Sequence, residues 1–167
     1  DSRVPAAQIM GLEPGGAFVH RNIANVVNTN DNNVNAVIQY AVHYLKVPHV
    51  IICGHYGCGG IKAALQNQDM GQINSWLTNL RDVYRLHREE LDAMQDPAEK
   101  ENRMVELNVE EQCVNFLKLD HVQQSLQERQ SPQVHGVVFD LASGLLKDLK
   151  IMDSPRMQET QKIYKIV

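Results

Sequence analysis

The sequence predicts an α/β fold in which helices flank a mostly parallel sheet. Short runs rich in Val, Ile and Phe predict strands over 17–21, 49–54 and 134–141. The stretches between these runs carry apolar residues at helical spacing. A strand, a helix and a second strand within about 35 residues form a βαβ unit, in which the two strands run parallel. We therefore expect the strands at 17–21 and 49–54 to lie in one sheet.

The first of the predicted helices covers 32–46. Its apolar residues recur every three or four positions, Asp31 can cap its start, and Pro48 follows its end. The middle of the chain predicts further helices, and a turn and an edge strand follow the strand at 134–141. The middle helices begin after the glycines at 59–60, cover 73–91, start afresh at Pro97 and cover 121–129.

Composition limits the class of protein. The chain has 167 residues, 43% of them hydrophobic, and a net charge of −4, which fits a single globular domain over 1–167. The charge gives no basic patch for nucleic acid, and no apolar run reaches the ~20 residues that a membrane span requires. Three cysteines favour a reducing, cytoplasmic setting over a disulfide framework. The sequence begins without Met or a leader, so we expect residues upstream.

The stretch GHYGCGG, at 54–60, is the clearest candidate site. It follows a buried strand and opens a helix, which is where ligands bind in α/β folds. The helix N-terminus favours a thiolate at Cys58, and thiolate and imidazole together suit tetrahedral zinc. Two other interpretations stay open at this point. The pair His55 and Cys58 could be a buried Cys beside a hydrogen-bonded His, or the glycines could bind phosphate, although the Gly-Lys-Ser/Thr pattern is missing.

Four stretches follow one another along the chain: DSRV at 1–4, PGGAFVHRNIAN at 14–25, YAVHYLKVPHVIICGHYGCGGIKAAL at 40–65 and HGVVFD at 135–140. Together they resemble the β-class carbonic anhydrases. This resemblance implies reversible hydration of CO2 to bicarbonate through a zinc-bound hydroxide, in a homodimer or homotetramer. It also implies a central, mostly parallel sheet of four strands plus an edge strand, and an N-terminal arm, which we expect this sequence to lack.

The resemblance assigns roles to individual residues. His55 and Cys58 match the second and third zinc ligands, and the first, a Cys, is expected two positions before Asp1. Asp1 and Arg3 match a catalytic carboxylate–guanidinium pair, in which the Arg keeps the carboxylate ionised and oriented. In a closed state, Asp1 could instead become the fourth zinc ligand. Without the resemblance, two charged residues at this place would be ordinary surface.

Three more residues match positions of the substrate cleft. Phe18 and Tyr40 match aromatic residues of the cleft, and Gly59 matches a backbone N–H that can meet a substrate oxygen. Tyr40 lies about 130° from the centre of the apolar stripe of its helix, so we expect it to face away from its own sheet. Phe18 lies in a predicted strand, where core packing is the alternative role. We expect Cys53 and Cys113 to be small core residues.

Two other functions remain in view. A CS2 or COS hydrolase on the same scaffold would use the same zinc chemistry behind a narrower entrance. A chain without its first Cys ligand could be a zinc-deficient protein with only an assembly role. Metal content and parallel assays on the three substrates distinguish these possibilities.

Overall fold

A three-stranded mixed sheet lies at the centre of the computed structural model, which describes residues 3–66, 68–164 and 166. Strand β1 (His49–His55) pairs in parallel with β2 (Gln133–Asp140), and β3 (Leu145–Asp148) pairs antiparallel to β2. The parallel pairing confirms that 49–54 and 134–141 belong to one sheet, and β3 confirms the predicted edge strand. In this register His55 stands beside Phe139, at the carboxyl ends of β1 and β2.

Helices account for most of the remaining chain. A side-chain cap by Asp31 starts α2, and a cap by Asp96 followed by Pro97 starts α6, as expected from the residues that favour helix starts. None of the described helices is long and apolar enough to cross a membrane. The helices are α1 (Ala6–Ile9), α2 (Asn32–Gln39), α3 (Gly59–Leu65), α4 (Asn74–Leu86), α5 (Arg88–Asp92), α6 (Pro97–Leu117), α7 (Asp120–Arg129) and α8 (Pro155–Tyr164).

Helix α6 packs across both β1 and β2 and forms the centre of the core. Two strand glycines permit this close approach. A Cβ at Gly54 would lie 2.7 Å from Val109 of α6, and a Cβ at Gly136 would lie 3.1 Å from Val109 and would clash with the side chain of Ile151, which follows β3. A side chain at either place would have to displace its neighbours, which glycine avoids.

The sheet departs from the prediction at 17–21. These residues form neither a helix nor a strand, so the described sheet has three strands and the predicted βαβ unit over 17–54 is absent from it. Strand β1 is also covered on one face only: Ile51 is 46% exposed. Cys53 lies on the same uncovered face, and its assignment to the core is therefore wrong, whereas Cys113 is buried as expected. An apolar run indicates that a strand can be covered on both faces, but it does not indicate which part of the protein covers the second face.

The helical predictions need three corrections. The helix predicted over 32–46 is α-helical only to Gln39 and continues as a wider π-helical turn over Tyr40–Tyr44. The helix predicted over 73–91 is broken at His87, whose side chain contacts Glu111 of α6 at 2.8 Å. Helix α8 was not predicted and adds a final helix after β3.

Candidate metal centre

The loop that carries His55 and Cys58 is held between two strands and a helix. At the end of β1, the Tyr56 N–H donates to the Phe139 carbonyl of β2, with N and O 3.1 Å apart. Gly57 then turns the chain with a φ of +70°, which glycine adopts without strain. Cys58 is the N-cap of α3. The loop therefore begins on a sheet and ends on a helix, and neither end is free to move independently.

His55 and Cys58 are brought together by this turn. The His55 Nδ1 lies 3.0 Å from the Tyr56 carbonyl oxygen, which can only accept, so Nδ1 carries the proton and donates. In the neutral ring the lone pair of His55 is then on Nε2, whereas the charged ring carries a second proton there that it can donate to the Cys58 thiolate. Burial alone would raise the pKa of the Cys58 thiol, but a hydrogen bond with His55 and the backbone N–H groups of Ile61 and Gly60 outweigh burial. The net result is a lowered pKa at Cys58, which favours the thiolate.

This pair of donors fits zinc. A buried thiolate and a neutral imidazole with a free Nε2 lone pair are two of the ligand types that zinc prefers. No group of three or more His, Cys, Asp or Glu side chains suitable for a metal occurs among residues 3–66, 68–164 and 166. The described residues could therefore provide two ligands of a zinc site. Asp1, the expected catalytic carboxylate or fourth ligand, lies outside them.

Of the other predicted site residues, Arg3 is exposed near the start of the described chain. Close to it, Arg21 Nη1 donates to the Val4 carbonyl at 2.7 Å and fixes this segment to the 17–25 region. Gly59 is the first residue of α3 and is exposed, and no atom lies within 4 Å of where its Cβ would be. Its backbone N–H is in the first turn of a helix, where such groups have no intrahelical acceptor.

Phe18 and Tyr40 form an aromatic pair on the surface, with ring centroids 5.8 Å apart. They are 51% and 50% exposed, so Phe18 does not pack into the core, and Tyr40 lies away from the core as its helical position predicts. Tyr44 extends the cluster, 5.5 Å from Tyr40. Tyr44 was not among the predicted site residues, although its place four residues after Tyr40 on a helical turn was a usable signal. The structure thus brings together two predicted pairs, His55 with Cys58 and Phe18 with Tyr40.

A buried amide pair explains the ELNVEEQ stretch at 106–112. Asn108 Nδ2 donates to the Ala24 carbonyl at 2.9 Å, and Gln112 Oε1 accepts from the Val27 N–H at 2.8 Å. Gln112 Nε2 also donates to Asn108 Oδ1 at 3.0 Å. Residues 23–24 in turn lie close to Gly60, where a Cβ would be 2.8 Å from Ile23. Helix α6 therefore supports the segment that covers the start of α3.

Glu106, in the same stretch, has a role that the sequence analysis did not detect. Its Oε1 accepts from the Tyr56 hydroxyl at 2.6 Å and from Lys147 Nζ at 2.6 Å, and its Oε2 accepts from Arg103 at 3.0 Å. Burial raises the pKa of Glu106, but the hydrogen bonds from Lys147, Tyr56 and Arg103 outweigh burial and lower it. No motif links these residues, because they are up to 91 positions apart in sequence and meet only in the folded chain.

Comparison with known proteins gives concordant matches. A family model described as carbonic anhydrase matches residues 1–146. A carbonic anhydrase from Emericella nidulans is 57% identical over 166 residues, 99% of this chain and 73% of that protein. The β-carbonic anhydrase CafA of Aspergillus fumigatus superposes with a TM-score of 0.88 at 40% identity, covering 98% of this chain and 78% of that chain. A match from the structures of two tetrameric β-carbonic anhydrases of Sordaria macrospora has a TM-score of 0.85 at 44% identity, covering 89% of this chain and 76% of that chain.

Proposed function

This chain belongs to the β-class carbonic anhydrases, and on that premise we propose that it catalyses the reversible hydration of CO2 to bicarbonate with Zn²⁺ as cofactor. The observation that carries the proposal is the meeting of His55 and Cys58 at the carboxyl end of β1. A zinc ion bound there would lower the pKa of water to about 7 and so would supply a nucleophile for CO2 at neutral pH.

His55 and Cys58 would hold the metal through Nε2 and Sγ. The third ligand is expected to be a Cys two positions before Asp1, carried by a strand that lies next to β1. The edge of β1 that faces away from β2 has no strand partner among the described residues, which is consistent with that placement. A parallel strand there would end beside His55, since the carboxyl ends of parallel strands meet at one edge of a sheet.

We assign to Asp1 and Arg3 the handling of the proton. An Arg next to a carboxylate keeps the carboxylate ionised and fixes its direction. Asp1 can then accept a hydrogen bond from the attacking water and orient its lone pair towards CO2. In a closed state the same carboxylate would occupy the fourth ligand position and exclude water.

Substrate binding is assigned to Phe18, Tyr40 and Gly59. CO2 is small and apolar, so aromatic side chains give it a suitable environment, and the Gly59 N–H can donate to an oxygen of bicarbonate. The exposed aromatic cluster of Phe18, Tyr40 and Tyr44 also supports a cleft that is completed by a second copy of the chain. We therefore propose a homodimer or homotetramer, in line with the tetrameric relatives from Sordaria macrospora. Sedimentation at micromolar concentration that shows only monomer contradicts a shared cleft.

The test uses the full-length protein, with zinc content and the rate of CO2 hydration as readouts. We expect about one zinc per chain, and the loss of both zinc and activity in Cys58→Ser. Cys53→Ser is the matched control, because Cys53 is two residues from His55 but on the uncovered face of β1, and it should keep both.

Three results would contradict the proposal. Zinc-loaded protein that does not accelerate CO2 hydration refutes the activity. Faster turnover of COS or CS2 in a parallel assay supports a sulfur-substrate hydrolase. Full-length protein without zinc leaves only the assembly role.

A further inference from the structure

Tyr56, between the two metal ligands of the loop, is fixed at three points. Its N–H donates to Phe139 of β2 at 3.1 Å, and its carbonyl accepts from His55 Nδ1 at 3.0 Å. Its hydroxyl donates to Glu106 of α6 at 2.6 Å, and its ring packs against the core. The carbonyl that orients His55 therefore belongs to a residue whose main chain and side chain are both anchored.

Glu106 is well suited to hold the phenol. Its side chain is 14% exposed and receives hydrogen bonds from Lys147 on β3 and Arg103 on α6 as well as from Tyr56. Two cations compensate its charge, so the carboxylate remains an acceptor for the phenol. Arg103 also contacts Glu90, and Glu90 contacts Arg156 on α8 at 2.9 Å. The anchor of Tyr56 is thus built from β3, α5, α6 and α8.

We propose that Tyr56 is a positioning residue for the metal site: its phenol, held by Glu106, fixes the carbonyl that keeps the His55 Nε2 directed at the metal. The inference rests on the proposed function in that it takes the metal to be zinc bound by His55 and Cys58. Partners that orient a ligating imidazole typically change metal affinity by about 10- to 100-fold when they are lost. Tyr56 does not touch the reacting atoms, so its effect passes through His55.

Tyr56→Phe tests the proposal, because it removes only the hydroxyl and keeps the ring and the backbone contacts. We expect zinc affinity, measured by competition with a chromogenic chelator on full-length protein, to fall by roughly 10-fold or more. We also expect the visible absorption of the Co²⁺-substituted protein to change, since it reports ligand geometry directly. In CO2 hydration we expect Tyr56→Phe to lower kcat and to leave KM unchanged.

Tyr84→Phe is the matched control. The Tyr84 hydroxyl also donates to a carboxylate, that of Asp92, but at the surface between α4 and α5. The Tyr84→Phe substitution should leave zinc affinity and the Co²⁺ spectrum unchanged. Thermal unfolding of the metal-free variants separates a fault in folding from a fault in metal binding. Glu106→Ala, which removes the acceptor of the Tyr56 hydroxyl, should reproduce the zinc defect of Tyr56→Phe.

The outcomes of this test are distinct. If Tyr56→Phe holds zinc as tightly as Tyr84→Phe, with an unchanged Co²⁺ spectrum, the positioning role is refuted while the proposed function stands. If the unsubstituted protein binds no zinc, the proposed function fails, and this inference fails with it.

Discussion

Asn108→Ala should destabilise the protein strongly, because it disrupts the buried amide pair between α6 and the segment at 22–27. The Asn108 side chain is 1% exposed and makes two hydrogen bonds, to the Ala24 carbonyl and from the Gln112 amide. Removal of this side chain leaves the Ala24 carbonyl and the Gln112 amide N–H without their hydrogen-bond partner, and each unpaired group costs about 1–3 kcal/mol of stability. Ala24 also has a φ of +61°, an unfavourable conformation for alanine that this bond helps to hold.

We take about 3 kcal/mol as the expected loss in the free energy of unfolding, which corresponds to a fall in Tm of about 6–12 °C for a chain of this size. Urea denaturation followed by circular dichroism measures it. Asn102→Ala is the control: Asn102 is on the same helix but exposed, so its replacement should change stability by less than about 0.5 kcal/mol. A loss below about 1 kcal/mol for Asn108→Ala, or one equal to that of the control, refutes the reasoning.

Three further predictions concern Glu106, Gly136 and Cys113. The folded state holds the pKa of Glu106 below its ordinary value, so the ionised Glu106 stabilises the fold above the unfolded-state pKa, and this stabilisation is lost as pH falls through the folded-state pKa. The difference in the free energy of unfolding between the unsubstituted protein and Glu106→Gln should therefore shrink from pH 7 to pH 4. A difference that stays constant over this range contradicts the prediction. Gly136→Ala should cost about 1–3 kcal/mol through its clash with Ile151, whereas Gly59→Ala, with open space around it, should cost little stability by thermal melting. Cys113 is fully buried with a pKa raised by burial to about 12, so mass spectrometry after iodoacetamide treatment should find it modified only in unfolded protein.

The sequence was most informative where one short segment contains the whole signal. The predicted strands at 49–54 and 134–141, the helix start at Pro97 and the His55–Cys58 loop all depend on neighbours in sequence, and all are present in the structure. Apolar periodicity and capping chemistry are local properties, so a sequence displays them directly.

The sequence was least informative where the burial or role of a residue depends on which distant part of the chain packs against it. Cys53 has the same apolar neighbours as a core residue, yet α6 covers only the other face of β1. The residues around Phe18 have the composition of a strand, but no strand pairs with them among the described residues. Tyr56 and Glu106 illustrate the same difficulty, because a hydrogen bond between residues 50 positions apart leaves no pattern in the sequence.

The bond between Tyr56 and Phe139 also has a bearing on biosynthesis. The loop with His55 is translated early, but the strand that fixes it is more than 80 residues further along the chain. Contacts of such long range close late in folding, since the loop entropy must be overcome first. The loop can therefore reach this geometry only after the ribosome has released residue 139, so capture of the proposed zinc ion would be a late event that reports a correctly folded carboxyl-terminal half.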